Sequence, residues 1–311
     1  MDRLPLRCPC KEKVRLINDQ LNWRCSKETC AHHHRKNAFT QNADVPILIS
    51  SINTDTVCEP SKADSYVVRD QNQGSWLKKH LSPNNGVTRK NCSKFIDLLL
   101  SETENPKVLI IGGGSKGVGT QELWENKDIE VHSIDIYASP TVDLVCDAHY
   151  LPLEGEYYNA VWIQAVLEHV VQPDLVVNEI HRVLKQEGIV YAETPFMQQV
   201  HEGAYDFTRY TVLGHRYLFK RFSLIDMGGN GGAGISLAWA LKYFVWALFR
   251  SKTLARVTGA LGTLLLRPFE RLFSRKSLFD SSSGVFFLGK KMQHHSVSHK
   301  DLISLYRGQQ N

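Results

Sequence analysis

Val108-Leu109-Ile110-Ile111-Gly112-Gly113-Gly114-Ser115-Lys116-Gly117-Val118-Gly119 decides the fold. A short apolar run ends in a glycine cluster, and Thr120 to Glu125 then reads as a helix. That is the pattern of a buried parallel strand turning into a helix N-terminus. Glycine has no Cβ, so a ligand can lie against the backbone. The helix start offers it unpaired N–H groups. The same residues can also form a glycine-rich turn that binds nothing. Glu130 to Asp135 reads as a second strand ending in an acid. Asp135 lies about 20 residues past the glycines, where a carboxylate can take both ribose hydroxyls of a bound nucleoside. A nicotinamide dinucleotide and S-adenosylmethionine both fit this unit.

Further along, 142–146, 159–164 and 188–194 read as strands with helical patterns between them. The alternation predicts an α/β fold with a doubly wound, Rossmann-like sheet. Asp147-Ala148-His149 follows the third strand, and Asn159 to Gln164 leads into Ala165-Val166-Leu167-Glu168-His169-Val170. Glu179 to Gly188 reads as a helix closed by a glycine C-cap. The dense stretch Glu193 to Thr211 sits where open α/β sheets bind ligands, after the fifth strand. In it His201, Asp206 and Arg209 are candidates for substrate contact, with His201 or His169 as a base. The competing reading is that Asp206 and Arg209 pair to pin a loop and that His169 caps a helix.

These phrases resemble the class I S-adenosylmethionine-dependent methyltransferases, in particular the type 11-like branch with "D-A-x-x-L-P", "L-E-H-V" and "E-I-x-R-V-L-K-x-x-G". The resemblance spans roughly residues 105 to 225. It implies Gly112, Gly113 and Gly114 against the methionine and ribose portions, Asp135 on the ribose and Asp147 with Ala148 at the adenine. It places Gln164 near the sulfonium. Ile110 stands where that family usually carries an acid. The 193–211 stretch is similar to methyltransferases associated with bacterial surface-glycan biosynthesis. Chemistry agrees with this choice over a nicotinamide cofactor. No dehydrogenase set of Ser/Tyr/Lys or His/Asp follows, whereas transfer from a sulfonium mainly requires alignment of acceptor, methyl and sulfur. A base helps only where the acceptor is a hydroxyl or amine.

The N-terminus carries two cysteine pairs, Cys8/Cys10 and Cys25/Cys30, separated by 14 residues. Two short strands around Asn18-Asp19 would bring the four thiolates together as a structural zinc site, with His32, His33 and His34 as possible substitutes. "LRCPC…WRCSKETC…FTQNADVPILIS" resembles the zinc-ribbon module of the Trm112 type, which accompanies methyltransferases. The expected organisation is a ribbon-like β module over 1–52, a linker over 53–75, and a methyltransferase domain over 76–292 opened by two helices, 76–81 and 92–100. A polar tail, 293–311, follows.

Ala233 to Phe249 is nearly all apolar, at the lower limit of length for a membrane span. A second apolar piece, Val257 to Leu266, follows, with Arg250, Lys252, Arg256, Arg267, Arg271, Arg275 and Lys276 around it. This is read as a helical hydrophobic insertion, 230–280, that makes peripheral membrane contact; a buried cap or an oligomer contact is the alternative. Asp280 to Lys291 reads as the last strand returning to the sheet.

The 42% hydrophobic and 22% charged content is ordinary for a globular chain, and a net charge of +5 is no strong nucleic-acid signal. The start, Met1-Asp2-Arg3-Leu4-Pro5, lacks a signal-peptide core, so a cytoplasmic location with reduced cysteines is expected. The function read from all this is methyl transfer to a hydroxyl or similar group on a small-molecule, glycan or lipid-linked intermediate. Two alternatives stand beside it: a binding or regulatory protein that has lost turnover, supported by Ile110, and an RNA or protein methyltransferase. Against the last, no "N/D-P-P-Y/F" phrase follows the fourth strand.

Overall fold

The computed structural model describes residues 4–10, 12–19, 22–34, 39–42, 45–49, 56, 86–294 and 296–310. The expected linker, apart from Thr56, and the expected helix 76–81 lie outside them, as does His295. Among the described residues there are two sheets: a two-stranded one, β1 (Leu16–Asp19) with β2 (Asn22–Cys25), and a nine-stranded one. The larger sheet contains β3 (Thr40–Asn42), β4 (Val45–Ile47), β5 (Lys107–Ile111), β6 (Glu130–Asp135), β7 (Leu144–Val145), β8 (Tyr158–Gln164), β9 (Leu184–Pro195), β10 (Phe222–Asn230) and β11 (Gly284–Lys291). Its order is β10-β11-β9-β8-β5-β6-β7-β4-β3. Strands β5 to β9 pair in parallel, and β11 runs antiparallel between β9 and β10. The sheet is the expected α/β, doubly wound type, with the predicted returning strand in place.

Both faces of the sheet are covered, which is why β5 and β8 read as near-continuous apolar runs. Helix α1 (Gly86–Glu102) buries Thr88, Asn91, Cys92, Phe95, Ile96 and Leu99, spaced to form one face. Ile110 packs in the same core as Phe95 and Ile96, on the side away from the crevice. After the short α2 (Gln121–Glu125), α3 (Pro173–Val183) starts with a proline in its first turn and buries Val176, Val177, Ile180 and Val183. It ends five residues before the predicted glycine cap. Tyr158 pairs with Leu184 and Ala160 with Ile189, so Lys185 to Gly188 is looped out of β9. Gly188 serves that bulge: a Cβ there would lie 2.9 Å from the Lys185 carbonyl oxygen.

The N-terminal residues form the small β1–β2 sheet and, through β3 and β4, extend the main sheet. Ile47 pairs in parallel with Val145, and the Leu48 N–H donates to the Val145 carbonyl at 2.8 Å. Leu6 bridges Leu153, flanked by Arg7 N–H to Pro152 O at 2.8 Å and Glu154 N–H to Pro5 O at 2.9 Å. Lys13 reaches Glu179 at 3.2 Å. Leu6, Cys8, Trp23, Phe39 and Leu48 share one hydrophobic core with Leu151, Leu153 and Ile180. The hairpin turn falls a residue or two later than expected, since Asp19 pairs with Asn22.

After α4 (Val212–Leu218) and β10, the insertion forms α5 (Ala233–Phe249), α6 (Lys252–Leu266) and α7 (Arg275–Ser281). It leaves the sheet at Asn230 and returns at Gly284, two residues paired directly across β10 and β11. Glu270 accepts the Ile235 N–H at 3.0 Å and so caps the α5 N-terminus. Among the described residues, no helix is long and apolar enough to cross a membrane, so the borderline span is not one. The expected polar tail folds back. It forms α8 (His299–Ser304), and Asp280 holds both the Tyr306 hydroxyl at 2.8 Å and the Gln309 N–H at 2.6 Å.

The shared core predicts one cooperative unfolding unit. Leu48→Ala, at a 1% exposed position, is expected to destabilise the whole chain by about 2–5 kcal/mol. Urea unfolding followed by tryptophan fluorescence and far-ultraviolet circular dichroism should give coincident transitions, shifted together. A separate early transition that leaves the main one unmoved would contradict this.

Candidate active site

A cavity of about 510 Å³ opens at the carboxyl ends of the parallel strands, where the crossovers on the two sides of β5 diverge. Such a volume suits a nucleoside-sized ligand. Its floor is the glycine turn after β5. Gly112 and Gly113 both donate N–H groups to the Ile134 carbonyl, at 2.9 and 3.0 Å. Gly112 has φ +82°, and a Cβ there would lie 2.2 Å from Val166 Cγ2. Of the three expected glycines, only Gly112 lines the cavity. Gly113 faces Ser133, and Gly114 faces Tyr137 and Asp135, so these two are small for packing reasons. Gly117 lines the cavity too, and its missing side chain makes room for Gln164.

Asp135 and Gln164 both line the cavity, as expected, and so do Asp147 and Ala148. Asp135 accepts the Gly114 N–H on Oδ2 and the Ile136 N–H on Oδ1, each at 2.7 Å. These bonds fix the carboxylate at the cavity edge, where it borders the ligand space. Asp147 is held more tightly. Its Oδ1 accepts from His149 N at 2.9 Å and His149 Nδ1 at 2.6 Å, and its Oδ2 accepts from the Thr56 hydroxyl. Burial opposes its ionisation, but the hydrogen bonds from His149 and Thr56 outweigh that and hold the carboxyl below its ordinary value. The Gln172 N–H donates to His149 Nε2 at 3.2 Å, which fixes the ring. Asp147 therefore shapes the turn that presents Ala148. His149 and Tyr137 also line the cavity and were not singled out in the sequence.

Past β8 the chain turns sharply. Ala165 takes φ +54°, a left-handed conformation for a residue with a Cβ, and such strain concentrates at functional turns. The turn continues into Leu167–His169. There the Glu168 carbonyl accepts N–H groups from Phe207 at 2.8 Å and Thr208 at 3.4 Å, joining this turn to the loop after β9. The two loops bring His169 and His201 together at the cavity wall, with ring centroids 4.9 Å apart. His169 Nδ1 lies 2.7 Å from the Tyr205 carbonyl, and His201 Nδ1 lies 3.2 Å from Asp206 Oδ2. Burial and the neighbouring His169 lower the His201 pKa below its ordinary value.

Asp206 and Arg209 are not cavity residues. Arg209 grips Asp206 through two nitrogens and also donates to the carbonyls of Gln198, Gln199 and Thr208. Its guanidinium is spent on closing the loop, so it is a clamp and not the substrate contact expected. Asp206, with its side chain 1% exposed, takes part in the clamp and orients His201. The Arg209 guanidinium beside it holds its carboxyl well below the usual range.

Two buried acids escaped the sequence reading. Glu168 is 1% exposed, and burial pushes its pKa up to about 8. Glu193, on β9, accepts on Oε1 from Thr88 at 2.7 Å, Tyr191 at 2.9 Å and Asn230 at 2.5 Å. Burial still raises its pKa to about 7. In the N-terminal part, the sulfurs of Cys8, Cys10, Cys25 and Cys30 lie within 4.8 Å of one another, as the spacing suggested. His32 Nδ1 sits 3.5 Å from the Cys8 sulfur and 3.4 Å from that of Cys30. His33 Nδ1 lies 2.7 Å from the Cys25 carbonyl.

The family model of the methyltransferase domain matches residues 109–192. No curated protein matches the chain. Among solved structures, it is similar to Haemonchus contortus phosphoethanolamine N-methyltransferase 2 in complex with S-adenosyl-L-methionine. The identity is 15%, over 70% of this chain and 56% of that one, with a TM-score of 0.45. It is also similar to the complex of the Haloferax volcanii Trm112 methyltransferase activator with its methyltransferase, at 17% identity over 71% of this chain and 96% of that one, TM-score 0.42. The residues matched by the methyltransferase-domain model fall on strands β5 to β9 of the sheet.

Glu193 makes stability depend on pH. Its folded-state pKa of about 7 lies above the ordinary 4.5, so between these values the folded chain keeps a proton that the unfolded chain releases. Its contribution is undiminished below pH 4.5 and is lost as pH rises to about 7. Chemical denaturation across pH 4–8 should show Glu193→Gln gaining on the parent through this window, by on the order of 3 kcal/mol at most. Parallel pH profiles would refute the assignment.

Proposed function

We propose that the chain transfers a methyl group from S-adenosylmethionine to a hydroxyl of a lipid-linked or glycan intermediate at a membrane surface. The cavity is the observation that carries the first half of this reading. It combines a glycine turn that a Cβ would close, a carboxylate fixed at the cavity edge by two backbone N–H groups and a volume that fits a nucleoside. S-adenosylmethionine supplies an activated methyl on sulfur, so the protein's part is to orient and exclude water. Asp135 would take the ribose hydroxyls, Gly112 would let the ligand lie on the backbone, and Gln164 would stand by the sulfonium. His169 and His201 face the acceptor end. With Nδ1 of each ring directed at an acceptor, Nε2 would act on the incoming hydroxyl.

The α5–α6 hairpin supports the second half. Phe244 is 65% exposed, Leu265 67% and Leu272 77%, and Leu248, Phe249, Leu261 and Leu264 are exposed beside them. Exposed apolar side chains gathered on one helical hairpin favour an interaction site. Arg250, Lys252 and Arg256 flank it, which suits an anionic lipid surface. The four convergent thiols have the donor chemistry of a structural zinc site. A zinc there would stiffen the segment that extends the sheet.

Titration calorimetry tests the cofactor. S-adenosylmethionine is expected to bind and nicotinamide adenine dinucleotide not to; Asp135→Ala should weaken binding by roughly 10- to 100-fold, the worth of hydrogen bonds to a charged group. A folded parent chain that ignores S-adenosylmethionine would sink the reading. Vesicle flotation tests the surface: co-flotation is expected with anionic phosphatidylglycerol vesicles and should be lost in the double variant Phe244→Ser, Leu265→Ser. A chain that stays in solution with both anionic and neutral vesicles, or buries this face in a dimer on sedimentation, would exclude membrane docking.

A further inference from the structure

We propose that Glu168, His169 and His201 form a binding site for a divalent first-row transition cation that activates the acceptor hydroxyl. The chemistry assigned to the cation rests on the methyl-transfer reading above; the site itself does not.

The three side chains come from loops following the adjacent parallel strands β8 and β9. One ligand atom from each lies within 4.8 Å of the other two. Glu168 supplies the independent sign of a ligand. It is 1% exposed, and among the described residues neither carboxylate oxygen has a hydrogen-bond partner. The nearest ring nitrogen, His169 Nε2, is 3.6 Å from Oε1, beyond hydrogen-bond reach. A buried carboxylate with nothing to satisfy it is expensive, and nearly all such groups have a partner. A cation between Glu168 and the two rings would be that partner.

The histidines are held as metal-binding histidines usually are. A ligating imidazole commonly donates its other N–H to a carbonyl or carboxylate, which fixes the tautomer and aims the lone pair. His169 Nδ1 has the Tyr205 carbonyl at 2.7 Å, and His201 Nδ1 has Asp206 Oδ2 at 3.2 Å. Asp206 is in turn fixed by Arg209, and the Glu168 backbone carbonyl is tied to the same loop. Two imidazoles and one carboxylate suit a cation such as Fe²⁺, Mn²⁺, Co²⁺ or Zn²⁺ better than Mg²⁺ or Ca²⁺, which prefer oxygen. Three protein ligands leave positions open. Both histidines border the cavity, so the open positions face the ligand space.

In that place the cation would bind the acceptor oxygen and lower its pKa. The hydroxyl proton passes to solvent. The oxygen lone pair forms the O–CH₃ bond while the C–S bond of the sulfonium breaks, its electron pair remaining on sulfur. The products are the methyl ether, S-adenosylhomocysteine and one proton. The Nε2 ring nitrogens then serve as ligands and not as bases.

Mn²⁺ is the probe, because thiolates select softer ions and the cysteine cluster will not compete for it. Room-temperature electron paramagnetic resonance of the full chain, titrated with Mn²⁺, should show one site per chain. Glu168→Gln, which keeps the side-chain volume, and His201→Ala should each weaken it at least about 100-fold. Calorimetric S-adenosylmethionine binding by the same variants checks that the cavity is intact. No saturable Mn²⁺ binding by a parent chain that still binds S-adenosylmethionine would overturn the site and leave methyl transfer standing. Unchanged Mn²⁺ affinity in both variants would overturn it as well. Saturable Mn²⁺ binding that both variants lose, in a chain that ignores S-adenosylmethionine, would uphold the site and remove the methyl-transfer reading.

Discussion

Strand β5 pairs in parallel with β6 on one side and β8 on the other, and this double pairing sets the rest of the molecule. Parallel neighbours cannot be joined by hairpins, so each connection must cross over the sheet. Crossovers leaving β5 in opposite directions go to opposite faces and part at the carboxyl ends. The cavity is that parting. Its walls come from the ends of β5, β6, β7, β8 and β9, five segments scattered over the sequence and brought into register by strand pairing. The sheet also has an outer edge to satisfy. Strand β7 has only two residues, and beyond it β4 supplies the parallel partner while Leu6 and Arg7 tie down the segment that follows. The N-terminal residues thus complete the sheet edge nearest Asp147.

Among the described residues of the site, charge is distributed by a simple rule: each buried charged group is held by neighbours that hydrogen-bond to it. Arg209 never reaches the ligand space, yet it fixes Asp206, which orients His201. Thr56 and His149 neutralise the cost of burying Asp147. Glu193 has three donors on one oxygen and, without lining the cavity, ties α1, β9 and β10 together. Glu168 alone breaks the rule. It is as buried as the others, has no such donors among the described residues, and lies beside the His169 and His201 rings.

What the sequence revealed follows from range. Val108–Ile111 and Asn159–Gln164 were legible as strands because both faces of the sheet are covered, which leaves an unbroken apolar run. The 233–249 helix was legible because its composition changes abruptly at Gly232 and Arg250. The end of α3 was not. Gly188 looks like a helix cap locally, but the pairing of Leu184 with Tyr158 overrides that preference and turns the glycine into part of a bulge. Parallel pairing of Ile47 with Val145 has no local signature at all, since it joins residues 98 positions apart. Asp206 and Arg209 were visible as a dense functional phrase, but only geometry separates a loop clamp from a substrate contact. Glu168 was quoted within its phrase and passed over, because its partner His201 is 33 residues away.

The insertion and the site are mechanically joined. Segment 231–283 leaves and re-enters the sheet at directly paired residues, so it can be added without disturbing the strands. Its helices approach closely because Gly259 faces Lys242 and Gly262 faces Ala238, with hypothetical Cβ contacts of 3.2 and 3.3 Å. The hairpin is therefore a stiff unit anchored at its base, where Glu270 caps α5. One further bond leaves it. The Tyr243 hydroxyl donates to the Val200 carbonyl at 2.6 Å, one residue before His201. Val200 belongs to the loop that Arg209 closes, so α5 and the Arg209 clamp both hold that loop. A surface that received the exposed apolar face would bear on the same helix that positions His201. Binding at the hairpin and geometry at the acceptor end would then share one lever, built from a single tyrosine and a loop with little freedom to yield.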